Sequence, residues 1–213
     1  MRIEKLDLGP VMANCYAVSS EGNIIIIDPG VYNQTLKDYV MKNRDNIKLI
    51  LLTHRHADHL GGAVELKQAC KAQIAMHELD AIGLESAEAS LFRYVHDGRQ
   101  ITSPPDLLLK DNDELEVGGM TVKVIHTPGH TAGCVCYIIG DLMFSGDTLF
   151  KGDVGRTDLP TGNYAQLLQS LNKLKNLKQN YKVYPGHGPE TELDIEKKTN
   201  PYMGMNINNV ADY

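Results

Sequence analysis

The sequence predicts an α/β (α+β) protein in which two β-sheets pack together and helices cover their outer faces. In each half of the chain, apolar runs typical of strands come first and helical stretches follow. Turn residues separate the runs, such as Asp28-Pro29-Gly30 after one strand and Gly118-Gly119 between two others. Because each sheet must bury an apolar face, this order favours strands inside and helices outside.

Apolar runs and turn signals set the predicted bounds of each element. Strands are expected at residues 3–8, 15–18, 24–27, 48–52, 74–76, 107–109, 114–117, 121–125, 134–139, 142–144 and 182–184. Helices are expected at about 33–44, 60–71, 78–94, 163–177 and 191–198. In the fourth helix, an apolar stripe at helical spacing predicts one buried face: Tyr164, Leu167, Leu168, Leu171, Leu174 and Leu177.

Composition limits the classes of protein and partner. The 213 residues are predicted to form one domain, residues 1–213. A net charge of -6 and the lack of a basic cluster predict no nucleic-acid partner. No apolar run approaches the roughly 20 residues that span a bilayer, and no apolar signal segment opens the chain. We therefore expect no membrane contact and a cytoplasmic location; no self-complementary patch indicates an oligomeric state.

Histidines and aspartates follow several of the predicted strands, and they are the candidate metal ligands. The ends of neighbouring strands lie close in space, so residues distant in sequence can converge there. Burying so many titratable groups together costs stability unless metal ions compensate them. The candidate ligands are His54, His56, Asp58, His59, His130, Asp147 and His187.

The His-x-His-x-Asp-His segment at residues 54–59 is the strongest local signal. His54 and His56 can share one metal, while Asp58 and His59 can reach a second one. Asp147 has two carboxylate oxygens and can bridge the two. Imidazole and carboxylate groups suit Zn²⁺, Fe²⁺ or Mn²⁺, so we expect two divalent ions, with zinc the leading prediction.

These motifs together resemble the metallo-β-lactamase superfamily, and more closely its short glyoxalase II-like (hydroxyacylglutathione hydrolase-like) members. The blocks that carry the resemblance are THRHADH (53–59), HTPGHT (126–131), SGDTLF (145–150), GRTD (155–158), PGHG (185–188) and NPY (200–202). The resemblance implies a four-layer αββα sandwich of two mixed β-sheets. Asp28 is similar to an early strand-end aspartate of the family that supports the metal loop.

The resemblance also implies roles for the candidate ligands and a reaction. It assigns His54, His56 and His130 to one metal, Asp58, His59 and His187 to the other, and Asp147 to both. A hydroxide bridging the metals would attack the acyl carbon of a thioester or related small-molecule ester, with Asp58 as the catalytic residue that orients it. Longer members carry an added C-terminal helical region that contacts glutathione, and few residues follow His187 here.

Other functions remain open on the same fold. A persulfide dioxygenase shares the His-x-His-x-Asp-His block and the Gly-Arg-Thr-Asp segment but uses a single iron, whereas PGHG around His187 favours two metals. A lactonase or β-lactamase-type hydrolase fits the same ligands. A zinc-dependent scaffold role is disfavoured, because a full ligand set is hard to explain without catalysis. A nucleic-acid-processing role is disfavoured because the acidic chain shows no added recognition elements.

Other polar residues receive non-catalytic predictions. Arg156 and Asp158 are interpreted as residues that order their loop, and His126 as a core residue or a support for the ligands. His77 is equally compatible with the pocket rim and with the surface. His96 lies in an Asp-Gly turn and is expected in solvent.

Overall fold

Two six-stranded mixed sheets form the centre of the protein in its computed structural model, which describes residues 1–9, 12–94 and 98–205. The first sheet contains, in spatial order, β1 (Arg2–Leu6), β2 (Cys15–Ser20), β3 (Asn23–Ile27), β4 (Ile47–Leu51), β5 (Gln73–His77) and β6 (Leu107–Leu109). Its first three strands are antiparallel and β3 to β6 run parallel.

The second sheet comes from the second half of the chain. Its spatial order is β14 (Thr191–Glu192), β13 (Lys182–Pro185), β10 (Leu142–Gly146), β9 (Val135–Ile139), β8 (Met120–His126) and β7 (Glu114–Val117). Only β10 and β13 pair in parallel, across a crossover that contains α5 (Tyr164–Lys175). A separate two-stranded hairpin, β11 (Leu149–Phe150) with β12 (Asp153–Val154), lies between them in sequence.

Three apolar clusters define the four layers. Along β3, Ile25 and Ile27 pack between the two sheets, while Ile24 and Ile26 face the helices, as expected for alternating strand residues. The helices on this side are α1 (Gln34–Asn43), α2 (Ala57–Leu60) and α3 (Ala63–Cys70). On the far side, α5 and α6 (Leu193–Thr199) cover the second sheet. The predicted αββα sandwich of two mixed sheets is confirmed.

The helix α5 packs through most of the predicted stripe, but the last member, Leu177, lies beyond the end of the helix and is partly buried. Leu167, Leu168, Leu171 and Leu174 are buried against the second sheet. Asn163 caps the helix, since its side chain accepts a hydrogen bond from the Gln166 amide at 2.9 Å. Tyr164, the first residue of the helix, is exposed instead of buried.

Three predicted helices differ from the structure. The helix expected at 60–71 is divided into α2 and α3, with a turn at Gly61 and Gly62 between them. The expected helix at 78–94 is wrong: α4 (Glu78–Ala81) is followed by turns and a 3₁₀ turn at Phe92–Tyr94. Gly83 and Leu91 adopt left-handed backbone conformations, which interrupt a helix. The expected helix at 191–198 begins later, because Thr191 and Glu192 pair with β13 as β14.

None of the helices in the described ranges is long and apolar enough to cross a membrane. The prediction of one domain over residues 1–213 and the cytoplasmic location stay predictions.

Candidate metal centre

All seven predicted ligands lie at one edge of the sandwich, where strands of both sheets end. His54 follows β4, and Asp58 and His59 lie in α2 immediately after it. Asp147 follows β10, and His187 follows β13, whose parallel pairing brings the two loops together. His130 comes from the loop between β8 and β9. The fold therefore brings the ends of several strands to a single place, as the sequence predicted.

One group of three imidazoles forms the first half of the centre. Nε2 of His54 lies 3.1 Å from Nδ1 of His56, and Nε2 of His130 lies 2.9 Å from the same Nδ1. The three nitrogens could serve as ligands to one metal ion. His56 therefore presents Nδ1 to the centre, whereas His54 and His130 present Nε2.

A second group contains Asp58, His59 and His187. Oδ2 of Asp58 lies 3.1 Å from Nε2 of His187 and 3.6 Å from Nε2 of His59. These three side chains also present one ligand atom each within reach of a single ion. His59 is fully buried, while His187 is partly open to the solvent.

Asp147 lies between the two groups. Its Oδ1 is 3.3 Å from Nε2 of His59, and its Oδ2 is 3.5 Å from Nε2 of His130 and 3.7 Å from Nε2 of His187. Asp147 therefore approaches both halves of the centre, the half of His59 and His187 through both oxygens and the half of His130 through Oδ2. A third possible ligand group contains His54, His59 and Asp147.

Three of the imidazoles are oriented by a hydrogen bond at the ring nitrogen that faces away from the centre. Nδ1 of His59 lies 2.9 Å from Oδ2 of Asp28, and Nδ1 of His54 lies 3.1 Å from the hydroxyl of Thr53. Nδ1 of His130 donates to the backbone carbonyl of Arg156 at 2.7 Å. Each contact leaves Nε2 free for a metal, in the pattern typical of metal-binding histidines.

The charges at the centre favour a cation. Burial, followed by the neighbouring histidines, holds the pKa of His54 well below its usual range, and burial beside His130 lowers the pKa of His56 to about 3. These rings are thus neutral, which is the form that binds metals. Burial opposes a charge on His59, but the carboxylates around it outweigh burial and raise its pKa. Burial likewise opposes ionisation of Asp147, yet His59 beside it lowers the pKa of that carboxyl.

Two orphaned atoms test whether metals fit this centre. Within the described part of the chain, Nε2 of His59 and Oδ1 of Asp147 are buried and lack a hydrogen-bond partner, as does Nε2 of His56. Buried polar groups without partners are costly. The first two atoms face the centre, where divalent ions would satisfy them. The donor set of imidazoles and carboxylates therefore fits two divalent metals.

A glycine allows the last ligand loop to approach the others closely. A Cβ at Gly186 would overlap Oδ1 of Asp147 and would lie 2.7 Å from Cε1 of His59. The neighbouring strand β10 also ties this loop to the centre, because the Gly186 amide donates to the carbonyl of Gly146 at the end of β10, at 2.8 Å. Close packing against the ligands therefore requires a glycine at position 186.

A cavity of about 420 Å³ opens over the centre. Its polar side contains His56, Asp58, His130, Asp147 and His187. Its remaining lining is largely apolar and consists of Leu91, Phe150, Gly155, Arg156 and Leu159. A larger cleft of about 1050 Å³ lies between the β1–β2 hairpin and α1, away from the candidate ligands, so size alone does not identify the site.

A buried polar network behind the ligands was missed by sequence reasoning. Oδ2 of Asp80 accepts hydrogen bonds from the Arg55 amide at 3.0 Å and the Thr131 hydroxyl at 2.6 Å, and Oδ1 accepts one from the Gly133 amide at 2.7 Å. The Arg55 side chain donates onward to the hydroxyl of Thr161. Asp80 thus ties the loop of His54 and His56 to the loop of His130.

The remaining predicted residues occupy supporting positions. His77 is buried, against the expectation of a rim or surface position, and its ring stacks on His126 with centroids 4.0 Å apart. Arg156 pairs with Asp158 through two hydrogen bonds of 2.7 Å, which agrees with a role in ordering the loop. His96 lies outside the described residues.

Proteins of similar sequence align with nearly the whole chain. The "Probable metallo-hydrolase YqgX" of Bacillus subtilis is 34% identical over 206 residues, covering 95% of this chain and 98% of the relative. The "Hydroxyacylglutathione hydrolase GloC" of Haemophilus influenzae is 33% identical over 208 residues, again covering 95% and 98%. The aligned segments therefore span the region of this chain that contains the candidate ligands.

Solved structures also superpose on nearly the whole chain. BLEG-1 B3 metallo-beta-lactamase superposes with a TM-score of 0.88 at 31% identity, covering 96% of this chain and 100% of that one. TTHA1623, solved in a di-iron-bound form, has a TM-score of 0.82 at 34% identity, with 93% and 99% covered. ETHE1 from Myxococcus xanthus has a TM-score of 0.74 at 27% identity, with 98% and 87% covered. Residues 8–187 match the Metallo-beta-lactamase superfamily, and the chain belongs to it.

Proposed function

We propose that this protein is a hydrolase that uses two divalent metals to cleave a small thioester of the hydroxyacylglutathione kind or a related ester. The observation that carries the proposal is the pair of ligand groups joined by Asp147, with the orphaned atoms of His59 and Asp147 between them. Two ions held by such groups would supply a nucleophile from water at neutral pH and polarise the acyl carbonyl.

The proposal divides the ligands between the two ions. His54, His56 and His130 hold one ion, and Asp58, His59 and His187 hold the other. Asp147 would serve both, because its Oδ1 lies near His59 and its Oδ2 lies near both His130 and His187. The relative solved in a di-iron-bound form supports a stoichiometry of two and keeps iron open beside zinc.

Asp58 is the proposed catalytic residue. Its side chain lines the cavity and lies 3.1 Å from Nε2 of His187. His59 beside it outweighs the effect of burial and lowers the pKa of Asp58, so that its carboxylate is ionised at neutral pH. In this position the carboxylate can accept a proton from water and orient the oxygen towards the acyl carbon.

The cavity supports a small acyl substrate. Leu91, Phe150 and Leu159 provide apolar surface opposite the ligands. A volume of about 420 Å³ is at the small end of the range for ligand pockets, roughly 300–1,000 Å³. A short acyl group can lie against this apolar surface while its carbonyl faces the centre.

The proposed function is tested by metal analysis and turnover of the same preparation. We expect about two metal equivalents per chain and hydrolysis of S-lactoylglutathione that exceeds hydrolysis of a lactone and a β-lactam. The alternative of a mono-iron persulfide dioxygenase requires one iron and consumption of oxygen with glutathione persulfide. One iron per chain with oxygen uptake and no thioester cleavage would refute the hydrolase.

The role of Asp58 is tested by Asp58→Asn. We expect a folded protein whose turnover is about 10²–10⁴-fold lower, the usual size of a general acid–base contribution. Asp45→Asn is the matched control, because Asp45 is an exposed carboxylate in the 3₁₀ turn Arg44–Asn46. Turnover near that of the parent protein in Asp58→Asn would contradict the assignment.

A further inference from the structure

The hairpin β11–β12 forms part of the cavity wall. Phe150 lies in this hairpin and lines the cavity, with its ring centroid 6.2 Å from that of His187 at an angle of 77°. After β12 the chain continues into Gly155 and Arg156, which also line the cavity. The position of this hairpin therefore sets the shape of the space that a substrate would enter.

Such a hairpin cannot hold its own position. Each of its strands has only two residues, and isolated two-stranded hairpins are marginally stable at best. Contacts from elsewhere in the chain must fix it. The helix α6 and the residue that follows it, Asn200, provide these contacts, and neither Glu196 of α6 nor Asn200 lines the cavity.

Two buried side chains bind the hairpin backbone. The Gly152 amide donates to Oε2 of Glu196 at 2.9 Å. Nδ2 of Asn200 donates to the Asp153 carbonyl at 3.1 Å and lies 3.5 Å from the Phe150 carbonyl. Together these bonds hold the turn of the hairpin and β12, and the pairing of Asp153 with Phe150 extends this support to β11.

Glu196 and Asn200 are themselves fixed. They are 1% and 3% exposed, and Nδ2 of Asn200 lies 2.9 Å from Oε2 of Glu196. The other oxygen of Glu196 accepts from the Thr191 hydroxyl at 2.6 Å, and Oδ1 of Asn200 accepts from the Tyr202 amide at 3.0 Å. A polar pair this completely hydrogen-bonded is rigid, so it transmits the position of α6 to the hairpin.

We propose that Glu196 and Asn200 are positioning residues that hold Phe150 against the substrate and so determine substrate affinity. This inference rests on the proposed function. Neither residue belongs to the metal centre, so their loss should act on substrate binding while the metal content stays the same. The C-terminal segment would thereby contribute to substrate recognition without touching the substrate.

The test compares Asn200→Ala and Glu196→Gln with Asn180→Ala. Asn180 also anchors α6, because its side chain accepts from the Asp194 amide at 3.0 Å and donates to Glu192 at 3.1 Å, but both partners lie outside the hairpin. With S-lactoylglutathione, we expect KM to rise about tenfold in the first two variants, the loss of roughly one hydrogen bond. We expect kcat and the two metal equivalents to change little, and KM to stay at the parent value in Asn180→Ala.

A coupling experiment separates positioning from general destabilisation. Phe150→Ala should raise KM on its own, and adding Asn200→Ala should raise it little further, because both changes remove the same contact. Multiplicative effects of the two changes would overturn the proposal. So would an unchanged KM in Asn200→Ala, or an equal rise in Asn180→Ala.

Amide hydrogen exchange tests the positioning independently of the reaction. The Gly152 amide should exchange about tenfold or more faster in Asn200→Ala than in Asn180→Ala, since only the former loosens the hairpin. If the parent protein does not cleave thioesters, the proposed function fails while this measurement still decides the positioning role. Equal exchange at Gly152 in both variants would overturn it.

Discussion

Asp28 supports His59 from behind, and its replacement gives the sharpest test of how the centre is built. Its Oδ2 accepts from Nδ1 of His59 at 2.9 Å and from the Thr53 hydroxyl at 2.6 Å, and its Oδ1 accepts from the Thr53 amide at 2.8 Å. Asp28→Asn keeps the shape of the side chain. The substitution is also compatible with the backbone, because φ at position 28 is +51° and asparagine, like aspartate, adopts left-handed conformations readily.

The size of the effect follows from these three contacts. An asparagine has one oxygen, so its amide nitrogen must face a donor of Thr53 or His59 whichever way it is turned. A buried donor without a partner costs about 1–3 kcal/mol in the free energy of unfolding. The imidazole of His59 also loses a charged partner, and such losses typically weaken metal binding about 10–100-fold. That range corresponds to about 1.4–2.7 kcal/mol.

Competition with a chromophoric chelator measures the affinity of each metal equivalent. We expect Asp28→Asn to weaken the equivalent bound by His59 by the stated factor and to have a smaller effect on the other, because Asp28 contacts His59 directly but reaches His54 only through the Thr53 hydroxyl. Asp45→Asn, on the exposed 3₁₀ turn, should match the parent protein. If Asp28→Asn bound both equivalents with parental affinity, the support of His59 by Asp28 would be refuted.

Three further predictions follow from the same geometry. His59→Ala should remove about one metal equivalent in elemental analysis, and unchanged stoichiometry would contradict a second ion. Gly186→Ala should lower metal content by displacing Asp147, whereas Gly204→Ala, with nothing within 4 Å of an added Cβ, should not; equal metal contents would contradict the close approach. Burial beside His126 lowers the pKa of His77 from 6.5 to about 4. As the pH falls, His77 is therefore protonated in the unfolded chain before it is protonated in the folded one, and the free energy of unfolding decreases between these two pKa values. His77→Gln should flatten this part of a plot of Tm against pH; an unchanged slope would contradict it.

The candidate ligands could be predicted because each one lies next to a strong local signal. His54 and His59 belong to one short segment after a buried strand, and His187 follows another strand across Pro185-Gly186. Strand ends converge at sheet edges whatever the details of the loops. The two sheets and their outer helices could be predicted for a similar reason, since alternation along Ile24–Ile27 buries both faces of a strand.

The supports of the ligands could not be predicted in the same way. Asp80 lies in a stretch whose composition favours a helix, yet its side chain is fully buried and binds Arg55 and Thr131 from two distant segments. No spacing in the sequence encodes such contacts. The left-handed conformation at Leu91 is unusual for a residue with a side chain, so local propensity gives no sign of this break in the expected helix. The hairpin β11–β12 is too short to produce a periodic signal.

Stability and function are divided between different parts of the fold. The three apolar clusters lie between the layers, where strands and helices bury their apolar faces. The polar centre lies at the edge, where loops leave the strands, and the side chains of Asp28 and Asp80 tie those loops to neighbouring segments through hydrogen bonds. Because the rings of His54, His59 and His130 are each oriented by a neighbour that is not itself a candidate ligand, the centre is preorganised by the sandwich. The loops over the cavity can therefore vary in sequence, and with them the substrate, while the ligands keep their geometry.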